Sequence, residues 1–131
     1  MKNFIIFFVL FIFGISISYC QDNEVITTIK NRKSVRNFTG ESVSKEDLNK
    51  ILKSAMCAPS AVNKQPWSFV VITDRKVLDA LADSLPYAKM LYKSGAAIII
   101  CAIPEKAYDG KTEFAIIDCS LGGENILLTV E

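Results

Sequence analysis

Along the chain the apolar positions change period several times, and each change marks an element. Val25, Ile26 and Ile29 recur at helical spacing, which predicts a first helix over residues 23–31. An extended segment, 34–38, follows and is closed by Thr39 and Gly40. Ser44 and Asp47 have the spacing of a capping box, and Leu48, Ile51, Leu52 and Ala55 then share one helical face. Pro59 cannot continue that helix, so it should stop just before. Residues 67–73 alternate and are β-branched, the pattern of a strand. Asp74 is placed to cap a helix through Val77, Leu78, Leu81 and Leu85 that ends at Pro86. A short helical piece, 87–92, leads into 96–103, a continuous apolar run that reads as a strand buried on both faces. After a loop at 104–111, Phe114, Ile117, Leu121, Ile126 and Leu128 predict a long buried helix over 112–131.

Helices and strands in this order indicate an α+β or α/β domain with a helix-covered sheet. Two strands make a marginal sheet, and the last helix runs to Glu131 with no cap. The expectation is therefore a chain incomplete at the C-terminus, with further strands beyond residue 131. At 131 residues it holds one domain at most.

The first twenty positions differ from the rest. Lys2 precedes an unbroken apolar run over 4–13, and small residues lead to Cys20, the layout of a secretory signal peptide. The run is short for a membrane span of ~20 residues. Ser16-Ile17-Ser18 offers one cleavage site, and Ile17-Ser18-Tyr19-Cys20 loosely resembles a lipoprotein box that would anchor Cys20 to a membrane. Either route gives a signal at 1–20, a domain at 21–131 and an exported protein, periplasmic or lipid-anchored at the cell envelope.

Charge narrows the function classes. The chain has 15 basic and 14 acidic residues, and loss of Lys2 with the signal leaves it formally neutral. That argues against nonspecific nucleic-acid or membrane-surface binding. No His is present, and the spacing of Cys57, Cys101 and Cys119 fits no zinc motif, so these cysteines are expected as small buried hydrophobes.

Against this neutral background two segments stand out. Arg32-Lys33-Ser34-Val35-Arg36 concentrates three cations and a hydroxyl. Strand alternation would put Arg32, Ser34 and Arg36 on one face, able to meet a phosphate and an electron-rich ring. The competing reading is a solvated basic turn paired with Glu41 or Glu46. The second segment runs from Pro59 through Ser60, Ala61, Val62, Asn63, Lys64 and Gln65 to Pro66 and Trp67. It is a proline-bounded polar loop of the kind that positions ligands, or else a plain helix-to-strand connection. Trp67 is expected in the core. Lys89 either faces water or approaches a ligand, and Asn125, among apolar neighbours, needs a partner in a cofactor or in backbone.

Taken in order, these segments resemble the FMN-dependent nitroreductase family. Arg32 to Arg36 is similar to its N-terminal flavin-binding signature, and Ala58 to Phe69 to its second motif. The strand at 96–103 and Gly122-Gly123-Glu124-Asn125-Ile126-Leu127-Leu128 are similar to later elements. The resemblance implies an α+β sandwich, homodimeric through long helices, with two FMN sites at the interface. It assigns Arg32 and Ser34 to the phosphate and ribityl end of FMN with Lys33 beside them, and Arg36 to the pyrimidine side of the ring. Pro59, Ser60, Ala61 and Asn63 would reach the flavin bound mainly by the other subunit, and Lys89 corresponds to a ring-contacting basic residue. A further loop, a late strand and C-terminal basic residues of the family would lie beyond residue 131.

The implied activity is hydride transfer from NADH or NADPH through flavin to a nitroaromatic, quinone or similar small acceptor. No catalytic side chain and no metal is required, because the cofactor carries the chemistry. The alternatives are a flavin-binding relative with another activity, such as dehalogenation or flavin breakdown, and an inactive fragment.

Overall fold

The structure is a computed structural model that describes residues 23–131. The expected signal peptide at 1–20, with its candidate lipidation site at Cys20, lies outside the described residues. Six main elements follow in order: α1 Glu24–Asn31, α2 Lys45–Met56, β1 Trp67–Ile72, α3 Arg75–Ser84, β2 Ala97–Ala102 and α4 Thr112–Thr129.

Local cap chemistry sets the starts of three helices. The side chain of Asn23 accepts from the Ile26 amide at 2.9 Å, Ser44 from Asp47 at 3.0 Å and Asp74 from Val77 at 3.1 Å. Each satisfies an amide that the first helical turn leaves without a partner. The Ser44 hydroxyl also donates to the Asp47 carboxylate at 2.7 Å, which holds that carboxyl below its ordinary value. The expected short helix after Pro86 is a 3-10 turn, Lys89–Lys93, and the loop before α4 contains two more.

β1 and β2 pair antiparallel from Trp67↔Ala102 to Ile72↔Ala97, and Ile103 adds a bond to the Pro66 carbonyl at 2.8 Å. The connection between them carries α3, whose Leu78 and Ala82 are buried. α4 lies across the sheet and beside α2. Small residues allow this approach: a β carbon on Gly123 would meet Ile100 Cδ1 at 3.2 Å, and one on Gly122 would meet the Ala55 carbonyl oxygen at 3.4 Å.

Three expectations are corrected here. β2 is not buried on both faces. Phe69 and its register partner Ile100 face α4, whereas Val70 and its partner Ile99 are exposed. A continuous apolar run cannot reveal that one face lacks a covering layer. Nor is α4 buried all round. Its buried residues are Ala115, Asp118 and Gly122, while Ile116, Ile117, Leu121 and Leu127 are exposed. Close contact with sheet and α2 selects the small stripe and turns the large side chains outward. Cys57, finally, caps the C-terminus of α2 and is exposed, whereas Cys101 and Cys119 are half-buried.

Candidate functional site

The basic segment begins where α1 ends. Arg32 caps the helix, its amide bonded to the Thr28 carbonyl at 3.0 Å, and is half-buried; Lys33 to Arg36 are exposed. The chain then runs to Val43 without joining a strand. Arg32, Lys33, Ser34 and Arg36 line a cavity of about 550 Å³ together with the apolar residues Val35, Phe38, Met90, Leu127 and Val130. Small-molecule sites span ~300–1,000 Å³. The Arg36 guanidinium donates to the Ser34 carbonyl at 3.2 Å, which folds the segment on itself. Glu131 also lines the cavity, accepting from the Lys33 amide at 3.3 Å.

The rival reading, a solvated basic turn paired with Glu41 or Glu46, holds in that Lys33 to Arg36 are exposed, but its ion pairs do not form among the described residues. Glu46 pairs with Lys50 at 3.0 Å instead. Among the described residues Arg32, Lys33 and Arg36 make no ion pair, so their charge is directed at the cavity and solvent. The donor set fits an anionic group with a flat apolar part, as FMN is: guanidinium and ammonium groups meet carboxylate or phosphate oxygens, and Phe38, Met90 and Leu127 offer dry surface.

The second segment takes a conformation that no glycine in it announces. Val62, Asn63 and Gln65 have φ of 44°, 57° and 49°, each in the left-handed region at a cost of about 1–3 kcal/mol. For β-branched Val62 this is an outlier. Bonds from Ser60 hold the turn: its carbonyl accepts from Asn63 and its hydroxyl from Gln65, both at 2.9 Å. From outside the loop the Asp118 carboxylate accepts the Ala61 amide, Oδ1 at 3.1 Å and Oδ2 at 3.3 Å. The amides of Ala61, Asn63, Lys64 and Gln65 are thus all engaged. The loop presents its exposed side chains, those of Val62, Asn63, Lys64 and Gln65, while Pro66 and Trp67 anchor it in the core.

Asp118 was not a sequence candidate. The available signal was a lone carboxylate in the apolar run Ala115-Ile116-Ile117-Asp118-Cys119. It is 3% exposed. Burial raises the neighbouring Cys119 thiol above its ordinary pKa, and the Asp118 carboxylate and Cys101 add to the effect.

Among the described residues, the cavity lined by Arg32 to Arg36 includes no residue of the second segment. Asp118 and Leu127 both lie on α4 and are separated by roughly 14 Å of helical rise. Pro59, Ser60, Ala61 and Asn63 therefore sit at the middle of α4, and Arg32 to Arg36 at its C-terminal end. Lys89 is outside the cavity: its ammonium donates to the Ala82 carbonyl at 2.8 Å, near the end of α3, and lies 5.8 Å from the Tyr92 ring centre. Asn125 finds its partner in backbone, donating to the Ser54 carbonyl of α2 at 2.9 Å. Among the described residues no group of His, Cys, Asp or Glu could hold a metal ion, and no helix is long and apolar enough to cross a membrane.

Fold and site together define an α+β domain with a cation-rimmed apolar cleft of cofactor size. The profile of the Nitroreductase family matches residues 29–86, a stretch that includes both motifs. A protein of Archaeoglobus fulgidus, provisionally named an NADH dehydrogenase/NAD(P)H nitroreductase, is 42% identical over 105 residues, covering 80% of this chain and 60% of that one. A provisionally named nitroreductase of Desulfovibrio desulfuricans, solved in complex with FMN, superposes with a TM-score of 0.77 at 30% identity, over 84% of this chain and 63% of that one. An iodotyrosine deiodinase of Thermotoga neapolitana is 48% identical over 48 residues, 37% of this chain and 26% of its own. The chain belongs to the nitroreductase family. It spans about 60% of the length of the Archaeoglobus and Desulfovibrio proteins.

Proposed function

We propose that this chain forms part of an FMN-dependent oxidoreductase that takes hydride from NADH or NADPH and passes it to a nitroaromatic, a quinone or a similar acceptor. The observation that carries this reading is the cavity at the end of α1, which Arg32, Lys33, Ser34 and Arg36 line together with Phe38, Met90 and Leu127. Bound FMN would supply the two-electron chemistry. The chain's own residues bind and orient. Arg32 and Ser34 would hold the phosphate by charge-assisted bonds, with Lys33 adding charge beside them. Arg36 would place a positive charge where electron density grows on reduction, favouring the reduced state. The apolar wall excludes water.

We further propose a homodimer, in which the loop from Pro59 to Asn63 serves the site of the other subunit. Two features support it: the loop lies far along α4 from its own cavity, and α4 turns Ile116, Ile117 and Leu121 outward. The apolar N-terminal run favours an exported protein. The deiodinase likeness supports a second reading, reductive dehalogenation at the same flavin site.

The test is a visible spectrum after incubation with FMN and desalting, followed by NADH or NADPH and then a nitroaromatic, a quinone or an iodotyrosine. Retained flavin that bleaches with the nicotinamide and recovers with one acceptor class supports the reading and chooses between the two activities. A protein that keeps no flavin contradicts both.

A further inference from the structure

We infer that Asp118 is a positioning residue for the flavin site, holding the loop from Ser60 to Gln65 in the shape that presents Asn63, Lys64 and Gln65. This rests on the flavin reading above. Asp118 lies on the buried stripe of α4 and is 3% exposed. Both its oxygens point at one donor outside its own helix, the Ala61 amide, at 3.1 and 3.3 Å. A carboxylate in that position must be hydrogen-bonded or it is costly to bury. Here its partner is the backbone at the entrance to a strained turn.

The turn needs such an anchor. Val62, Asn63 and Gln65 all have positive φ without being glycine, and three such residues persist only where surrounding bonds over-determine them. Ser60 supplies bonds within the loop, but these would move with it. The Ala61 amide, donating to both Asp118 oxygens, connects the turn to α4, which packs against the sheet. Side chains of a loop so fixed approach a ligand with their ordering already complete, which preserves affinity.

The experiment compares wild type with Asp118→Asn, which keeps an oxygen acceptor, and Asp118→Leu, which fills the volume without one; Asp118→Ala replaces the latter if leucine does not fold. FMN is titrated by its absorbance, and amide hydrogen exchange is followed over residues 60–66, α2 and α4. The expected result is a protected Ala61 amide in wild type. Asp118→Leu should bind FMN about tenfold more weakly and exchange faster over 60–66 only, with α2 and α4 unchanged. Asp118→Asn should restore both readings to within about twofold. Unchanged FMN affinity in the leucine variant, or exchange that rises equally in α2 and α4, would overturn the positioning role. So would a wild-type Ala61 amide that exchanges as fast as open loop. Wild type that binds no FMN defeats the flavin reading itself, and the ligand part of this inference with it; the exchange pattern then decides only whether Asp118 holds the loop.

Discussion

Gly95, just before β2, lies so close to Glu41 that a β carbon on it would meet the Glu41 carbonyl oxygen at 1.9 Å and Val43 Cγ2 at 3.3 Å. The stretch from Asn37 to Val43 is laid against the base of the sheet by this approach. It leads directly out of the basic segment, so the backbone of Gly95 helps to fix where Arg36 and Phe38 stand. Gly95→Ala must push backbone, not a flexible side chain. Overpacking of this kind costs about 1–3 kcal/mol, and a thermal melt should show the loss.

Asn125 bridges α2 and α4 through the Ser54 carbonyl, and Thr129 adds a bond to the Ser54 hydroxyl at 2.7 Å. Asn125→Ala should cost about 0.5–1.5 kcal/mol in urea unfolding. FMN affinity should not change, because Asn125 does not line the cavity.

Ser44 caps α2, and Ser44→Ala should lose about 0.5–2 kcal/mol at neutral pH. The Ser44 hydroxyl holds the Asp47 carboxyl below its ordinary 3.8, and Lys50 assists. A carboxyl lowered in the folded state stabilises above its unfolded pKa and loses that effect as pH falls through the folded one. The melting temperature of wild type should therefore fall towards that of Ser44→Ala as the pH drops below about 4.

The thiols should separate by reactivity. Cys57 is exposed at the end of α2, whereas Cys119 is half-buried with its pKa raised by burial, Asp118 and Cys101. Because thiolate is the nucleophile, iodoacetamide at pH 8 should label Cys57 before Cys119. Peptide mass spectrometry would order the two, and prior labelling of Cys119 would contradict the packing of α4.

Features governed by neighbours in sequence were legible before the structure. Ser44 and Asp74 cap the helices they announce, and Trp67 to Ile72 alternates as a strand should. What depends on distant partners was not. The exposure of Val70 and Ile99 turns on which layers cover the sheet, and the outward turn of Leu121 on how closely α4 meets α2. The partner of Asn125 stayed open until α2 was set beside it. Asp118 escaped notice because its partner is a backbone amide 57 positions away. The left-handed turn at Val62, Asn63 and Gln65 was hidden because no glycine marks it.

In the proposed enzyme the cations after α1 hold the phosphate of FMN. Titration of FMN into wild type and Arg32→Ala in parallel, followed by flavin absorbance, decides this role. Removal of charge-assisted bonds should weaken binding by about 1.5–3 kcal/mol, roughly ten- to a hundredfold in Kd. Equal affinity in the two proteins, or no binding by wild type, would contradict it.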